Sequence, residues 1–355
     1  MTEPACRRQM RLSSRLRRIR DETLEVLQHI EHCFWWLYCH NKSTPTGHFA
    51  FVAPDIDALN GAILKYRDAA NARTDFVTYK TLVGFEAIFP VHWEQDDPDY
   101  QRLEAYRTRS VEVYVAGIKD DNANQWLDII KRCAATKSNE LATFPTFIAF
   151  LQKLSAAKPE IAFGYLHAAH VELIDFLPAF LAGLDNSPAR NQARALVREW
   201  MAEGRHLRQI GRSCRLATDV EPANLRALSL QALASADSVA VIETLVAIVA
   251  RPELAGGDLV DDAYLLLLRH LTDSKDARWL NDAWFQRSIK ALFGTLTAPQ
   301  AQLIFDNIVY WPKVFWRLEE ILGALAVNNY SQVWEFETYL APISTVTSAH
   351  KGSMC

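Results

Sequence analysis

Apolar residues recur along this chain at helical rather than strand intervals. Leu12, Leu16, Ile19, Leu27, Ile30, Phe34 and Leu37 keep a helical rhythm with Thr23 filling the one gap, which predicts a single long helix over residues 9–39. The polar stretch from Asn41 to Gly47 contains Pro45 and ends it, marking a domain boundary. Shorter helices are predicted beyond it: one started by Pro54, one capped by Asp75 and stopped by Pro90, and a longer one from Pro98 toward Gly117. Within the last, Val111, Val113 and Val115 alternate, so a strand stays open as the alternative. Helical windows continue at 121–134, 140–156 and 160–183, where Pro145 and Pro178 are expected to bend or break the last two.

After Asn186-Ser187-Pro188 the rhythm is more regular. Helices are predicted at 188–203, 205–216, 222–235, 238–250, 259–272, 277–293, 298–309, 313–327 and 330–340. Short connections rich in Asp, Pro, Gly or Asn make consecutive helices antiparallel neighbours. Helical pairs recur roughly every 35–45 residues, the period of HEAT-like or armadillo-like units. The expected fold is therefore all-α, a HEAT/armadillo-like helical-pair solenoid, with an irregular multi-helix domain as the alternative. The chain divides on this basis into a long N-terminal helix with an Arg-rich start over 1–40, an irregular helical domain over 48–184, HEAT-like repeats over 188–343 and a flexible tail over 344–355.

Composition agrees with helix: 47 Ala and 41 Leu make a quarter of the 355 residues, against 13 Gly. A chain that is 50% hydrophobic and 23% charged is neither disordered, collagenous nor of low complexity. The longest uninterrupted apolar run, Cys33 to Cys39, is about a third of the ~20 residues a membrane span needs, so no span is expected. Six cysteines without a Cys-x-x-Cys pair suit reduced thiols and a cytoplasmic location.

The net charge of −4 hides an asymmetry. Residues 1–20 carry seven arginines against Glu3, a balance of +6, and the remainder of the chain is −10. Arg7, Arg11, Arg15 and Arg18 share one helical face beside Leu12, Leu16 and Ile19. Such a face suits phosphate, an anionic membrane or an acidic protein. No aromatic residue interleaves with it before Phe34, which argues against base stacking.

Catalytic signatures are absent from the sequence. There is no Gly-Lys dipeptide for a P-loop, and no G-x-G-x-x-G, H-E-x-x-H or G-x-S-x-G. His167 and His170, three apart on an apolar helix near Glu172 and Asp175, are the candidate metal pair for a hydrolase, weighed against two histidines at the edge of a packed helix. His29, His32 and Cys33, with Cys39 and His40, supply zinc-type ligands, but Phe34-Trp35-Trp36-Leu37-Tyr38 between the cysteines reads as a buried helical stripe. Glu94, Asp96, Asp97 and Asp99, and likewise Asp258, Asp261 and Asp262, read as acidic helix starts. No metal or cofactor is therefore assigned, and the reading leans against an enzyme. Trp311, Trp316 and Arg317, at a predicted helix junction, are candidate contact residues because interface anchors favour Trp and Arg.

The segments Asp306-Asn-Ile-Val-Tyr-Trp-Pro-Lys313, Leu318 to Ala326 and Val333 to Leu340 resemble, in spacing and residue character, the C-terminal helical repeats of large bacterial STAND-type NTPases and related anti-phage defence proteins. The resemblance implies a sensor or protein-binding platform, with the chemistry residing in an upstream NTPase and effector. This chain carries neither a P-loop nor an effector motif. The function expected is thus a non-enzymatic scaffold that binds another macromolecule, most naturally protein. The alternatives are a nucleic-acid-binding array using the Arg7/Arg11/Arg15/Arg18 face and a metal-dependent hydrolase centred on His167 and His170.

Overall fold

The computed structural model describes residues 23–41, 53–84, 87–93, 99–138, 143–168, 170–217, 219–251, 258–283, 289–311 and 317–351. Among these residues the chain is all-α, with no strand. It divides into two compact units, Met1–Ser187 and Pro188–Cys355.

The first unit contains α1 (Leu24–His40), α2 (Ala53–Asn71), α3 (Thr74–Leu82), α4 (Tyr100–Gly117), α5 (Ala123–Ala134), α6 (Pro145–Ala157), α7 (Pro159–His167) and α8 (Leu177–Asp185). Prolines open α6 and α7 from their first positions, where the missing N–H costs nothing. Pro145 therefore starts a helix rather than bending one. Helix α1 begins later than the apolar rhythm suggested. Thr23 is extended, with ψ 151, and its hydroxyl accepts the Val26 N–H, so it caps a helix instead of continuing one. The earlier part of the expected 9–39 helix lies outside the described residues.

Val111, Val113 and Val115 are helical in α4. Val111 and Val115, one turn apart, face the core while Val113 is 68% exposed, so the alternation follows from one buried stripe and not from a strand. The expected 160–183 helix is three pieces: α7, a 3-10 segment Val171–Phe176, and α8, which carries Pro178 in its first turn. Helix α3 is the hub of this unit, packing on α1, α2, α4, α5 and α6 and buried from Thr78 to Leu82.

The second unit contains α9 (Arg190–Ala202), α10 (Leu207–Leu216), α11 (Pro222–Ala234), α12 (Ser238–Val249), a π turn (Val260–Tyr264) continued by α13 (Leu265–Asp273), α14 (Trp279–Ala283), α15 (Ile289–Phe293), α16 (Ala298–Ile308) and α17 (Arg317–Lys351). Helices here pack on partners one to three places along the chain, α10 on α12, α11 on α12, α13 on α16 and α16 on α17 among them. Helix α12 is buried from Ala240 through Val249. The predicted 313–327 and 330–340 helices are the two arms of α17, which breaks at Asn329 (φ −133, ψ 40) and continues to Lys351, into the stretch expected as a tail. No helix among the described residues is long and apolar enough to cross a membrane.

Candidate functional site

An open groove of about 490 Å³ lies on the second unit, between α13, α16 and α17. Its construction begins at the start of α16, where Thr297 and Gln300 form a reciprocal capping box and Pro299 follows. Ala301, Ile304, Phe305 and Ile308 then face the core at helical spacing, which leaves Gln302, Asp306 and Val309 directed outward. Asn307 fixes the other side of α16: its Oδ1 accepts from Trp279 Nε1 at 2.7 Å and its Nδ2 donates to the Asp276 carbonyl at 3.1 Å.

Helix α17 is tied down at its break. Asn329 Nδ2 donates to the Leu296 carbonyl at 3.1 Å and Gln332 Nε2 to the Ala298 carbonyl at 3.0 Å, while Asn328 donates to the Gly294 carbonyl. These bonds satisfy carbonyls at the corner before α16 and set Phe336 against Phe305, with ring centroids 5.0 Å apart.

The charged groups that line the groove, Asp306 and Glu335, are both acceptors. The carboxylates of Asp306 and Glu335 are exposed on its rim, and the Oε1 of Gln332 is buried without a hydrogen-bond partner. Asp306 already accepts from Gln302 Nε2 at 2.9 Å. An aromatic floor of Phe305 and Phe336, Tyr310 at the edge and a carboxylate rim suit a cationic side chain, whose stem packs on the rings while its head donates to oxygen. On α17, Val327 before the break and Tyr330 and Trp334 after it are exposed, 72%, 69% and 61% accessible. The sequence reading missed both features. The available signal was that Tyr330 and Trp334 lie off the helical face that holds Val333 and Phe336.

Of the residues singled out from sequence, Arg7, Arg11, Arg15, Arg18 and Trp316 lie outside the described residues. Arg317 opens α17. Trp311 is buried at 4% accessibility, its indole N–H donating to Asn281 Oδ1 at 3.1 Å, so it packs within the unit and offers no contact surface. His167 ends α7 with its Nδ1 2.7 Å from the Phe163 carbonyl, and His170 is extended beyond the helix end, so the two do not share the helical face expected of a chelating pair. Asp99 caps α4 through the Arg102 N–H, while Asp261 and Asp262 are engaged by Gln300 and Arg226. Among the described residues no three His, Cys, Asp or Glu side chains converge as a metal cage.

The first unit buries an ion pair instead. Lys80 Nζ donates to both oxygens of Glu31, at 2.9 and 2.7 Å, and to the Ile88 carbonyl at 2.7 Å, while Asn71 donates to Glu31 at 2.6 Å. Phe76 and Phe89 flank the ammonium, each ring centroid 5.0 Å away. Loss of water raises the Glu31 carboxyl above its usual range and lowers the Lys80 amine, against their mutual attraction. A smaller cleft of about 230 Å³ nearby is lined by Glu25, His29, Tyr79 and Thr136. There the Tyr79 hydroxyl lies 2.9 Å from Thr136 Oγ1, and burial pushes its pKa up to about 12, so it stays protonated as a hydrogen-bonding group.

Set beside known proteins, the chain matches no family model, no curated protein and no solved structure.

Proposed function

We propose that the chain is a non-catalytic scaffold that recognises a basic protein segment through the groove of its second unit. The observation that carries this reading is the pair of exposed carboxylates, Asp306 and Glu335, that flank a groove floored by Phe305 and Phe336. Arginine or lysine on a partner supplies the missing donors, and charge-assisted hydrogen bonds are the stronger kind. Affinity comes from complementarity alone, without a cofactor or covalent step.

Neighbour-to-neighbour helix packing in this unit supports a HEAT-like stack, an architecture that buries apolar faces between repeats and leaves a long exterior for contacts. The segments resembling STAND-type repeats also supply two parts of the groove lining, Asp306 to Tyr310 and Glu335 with Phe336. On that ground the proposal extends to a cytoplasmic sensor component of bacterial anti-phage defence.

Fluorescence anisotropy with a labelled peptide of alternating Arg and Leu tests the reading. Binding is expected to weaken about five- to tenfold in Asp306→Asn/Glu335→Gln, as loss of two partly solvated charges implies. Unchanged binding in that variant, or equal binding of a Glu-Leu peptide, overturns it. Tight, steeply salt-dependent retention of DNA or RNA in its place favours the arginine-helix alternative.

A further inference from the structure

We propose that His29 and Cys33 form a two-ligand site for a thiophilic divalent cation of the zinc class on the exposed face of α1. Five imidazole or thiol groups stand along this helix; Cys39 packs against the core cluster of Trp35, Ile63, Ile88 and Trp93, which leaves His29, His32, Cys33 and His40. Two of them are engaged by one tryptophan. Trp36 Nε1 donates to His32 Nε2 at 2.9 Å, and His40 Nδ1 lies 2.8 Å from the Trp36 carbonyl oxygen. The other two face each other, with Cys33 Sγ 3.8 Å from His29 Nε2 and both side chains exposed.

That separation is close to what coordination requires. Zinc–sulfur and zinc–nitrogen bonds of about 2.3 and 2.05 Å at a tetrahedral angle place the two donor atoms about 3.6 Å apart. The i, i+4 spacing holds the pair on one helical face, so little rearrangement is needed for both to ligate. Cys33 is the exposed cysteine among those described, whereas Cys133 is buried and Cys39 and Cys214 are partly covered. On binding, Cys33 coordinates as thiolate and its proton passes to solvent. The two remaining coordination positions point outward and are filled by water or by donors from another molecule, as in sites that keep open positions.

A hydrogen bond between a thiol and an imidazole would give a similar distance, so the test must see the metal. Cobalt(II) is the probe, titrated into the full chain kept reduced with a phosphine. The thiolate-to-cobalt charge-transfer band is expected to appear and saturate. It should be lost in Cys33→Ser and should require at least tenfold more cobalt in His29→Ala. Cys39→Ser and His32→Ala are expected to keep both band and affinity. All four variants should retain the helical circular dichroism of the parent, because none removes a fully buried side chain. A missing band at saturating cobalt, or an undiminished band in Cys33→Ser, overturns the proposal.

Discussion

Each unit builds its interior around one helix buried on nearly every side, and the two handle a buried charge in opposite ways. In the first, Lys80 of α3 meets Glu31 with both side chains out of water, 0% and 1% accessible. In the second, Glu243 of α12 is also buried, but its partners Arg212 and Arg215 lie on α10 and reach solvent, with Arg212 Nε 2.5 Å from the carboxylate. A pair that loses water on both sides gains little net stability, because desolvation consumes most of the attraction, yet removing one member leaves a stranded charge. A pair with one wet end keeps a route for relaxation. The comparison separates a pair sealed between helices from one that closes the solvent edge of a helix crossing.

The same two units share a second device. Gly183 of α8 lies so close to α6 that an added Cβ would stand 2.2 Å from the Gln152 carbonyl oxygen and 2.6 Å from Ser155 Cβ. Gly211 of α10 crosses α12 less tightly, with a notional Cβ 3.0 Å from Glu243 Cβ. Glycine permits both approaches, and the first depends on it far more.

The largest effect is expected from Lys80→Met, which leaves Glu31 buried without its cation and should cost about 3–5 kcal/mol in urea unfolding. Lys80→Met/Glu31→Leu should recover most of that loss. If it is as unstable as the single variant, the pair contributes true stability and the contrast with Glu243 fails. Next, Gly183→Ala is expected to cost about 2–3 kcal/mol and Gly211→Ala about 1 kcal/mol or less, since backbone must move in the first case and a few tenths of an ångström suffice in the second. Equal losses would show that the two crossings are equally adaptable.

An effect of the same order as that of Gly211→Ala is expected at Asp237, which caps α12 by accepting the Val239 and Ala240 N–H groups and pairs with Arg208 at 2.6 Å. The bond from Arg208 holds its carboxyl below the usual range, with the cap bonds assisting. A depressed folded pKa gives stability that is complete above the unfolded value of about 3.9 and is lost as pH falls through the folded value. Asp237→Ala should cost about 1 kcal/mol near neutrality. Asp237→Ser should keep most of the cap while flattening the stability profile in that acidic window. An unaltered acid slope in the serine variant would assign the slope to other carboxylates.

Local signals carried much of the fold. Pro159, Pro222 and Asp237 stand at the helix starts where the chain places them, and the interval between the windows 313–327 and 330–340 coincides with the Asn329 break. What stayed hidden is non-local or depends on a single cap. Thr23 fits an apolar rhythm equally well as an interior residue or a cap, and its hydroxyl bond to Val26 decides for the cap. Glu31 and Lys80 are 49 residues apart, and no periodicity announces that they meet. The candidate groove draws on α13, α16 and α17 together, so its acceptors emerge only after packing. Trp311 misled because a helix junction in sequence suggested exposure, whereas its ring is buried in the unit and its indole N–H donates to Asn281.

The central claim, that a basic segment docks between α16 and α17, is tested most directly by amide hydrogen exchange on the full chain with and without the Arg-Leu peptide. Protection is expected to rise at residues 302–310 and 330–336 and to change little in α3 and α12. Protection confined to other segments, or none at saturating peptide, would contradict it.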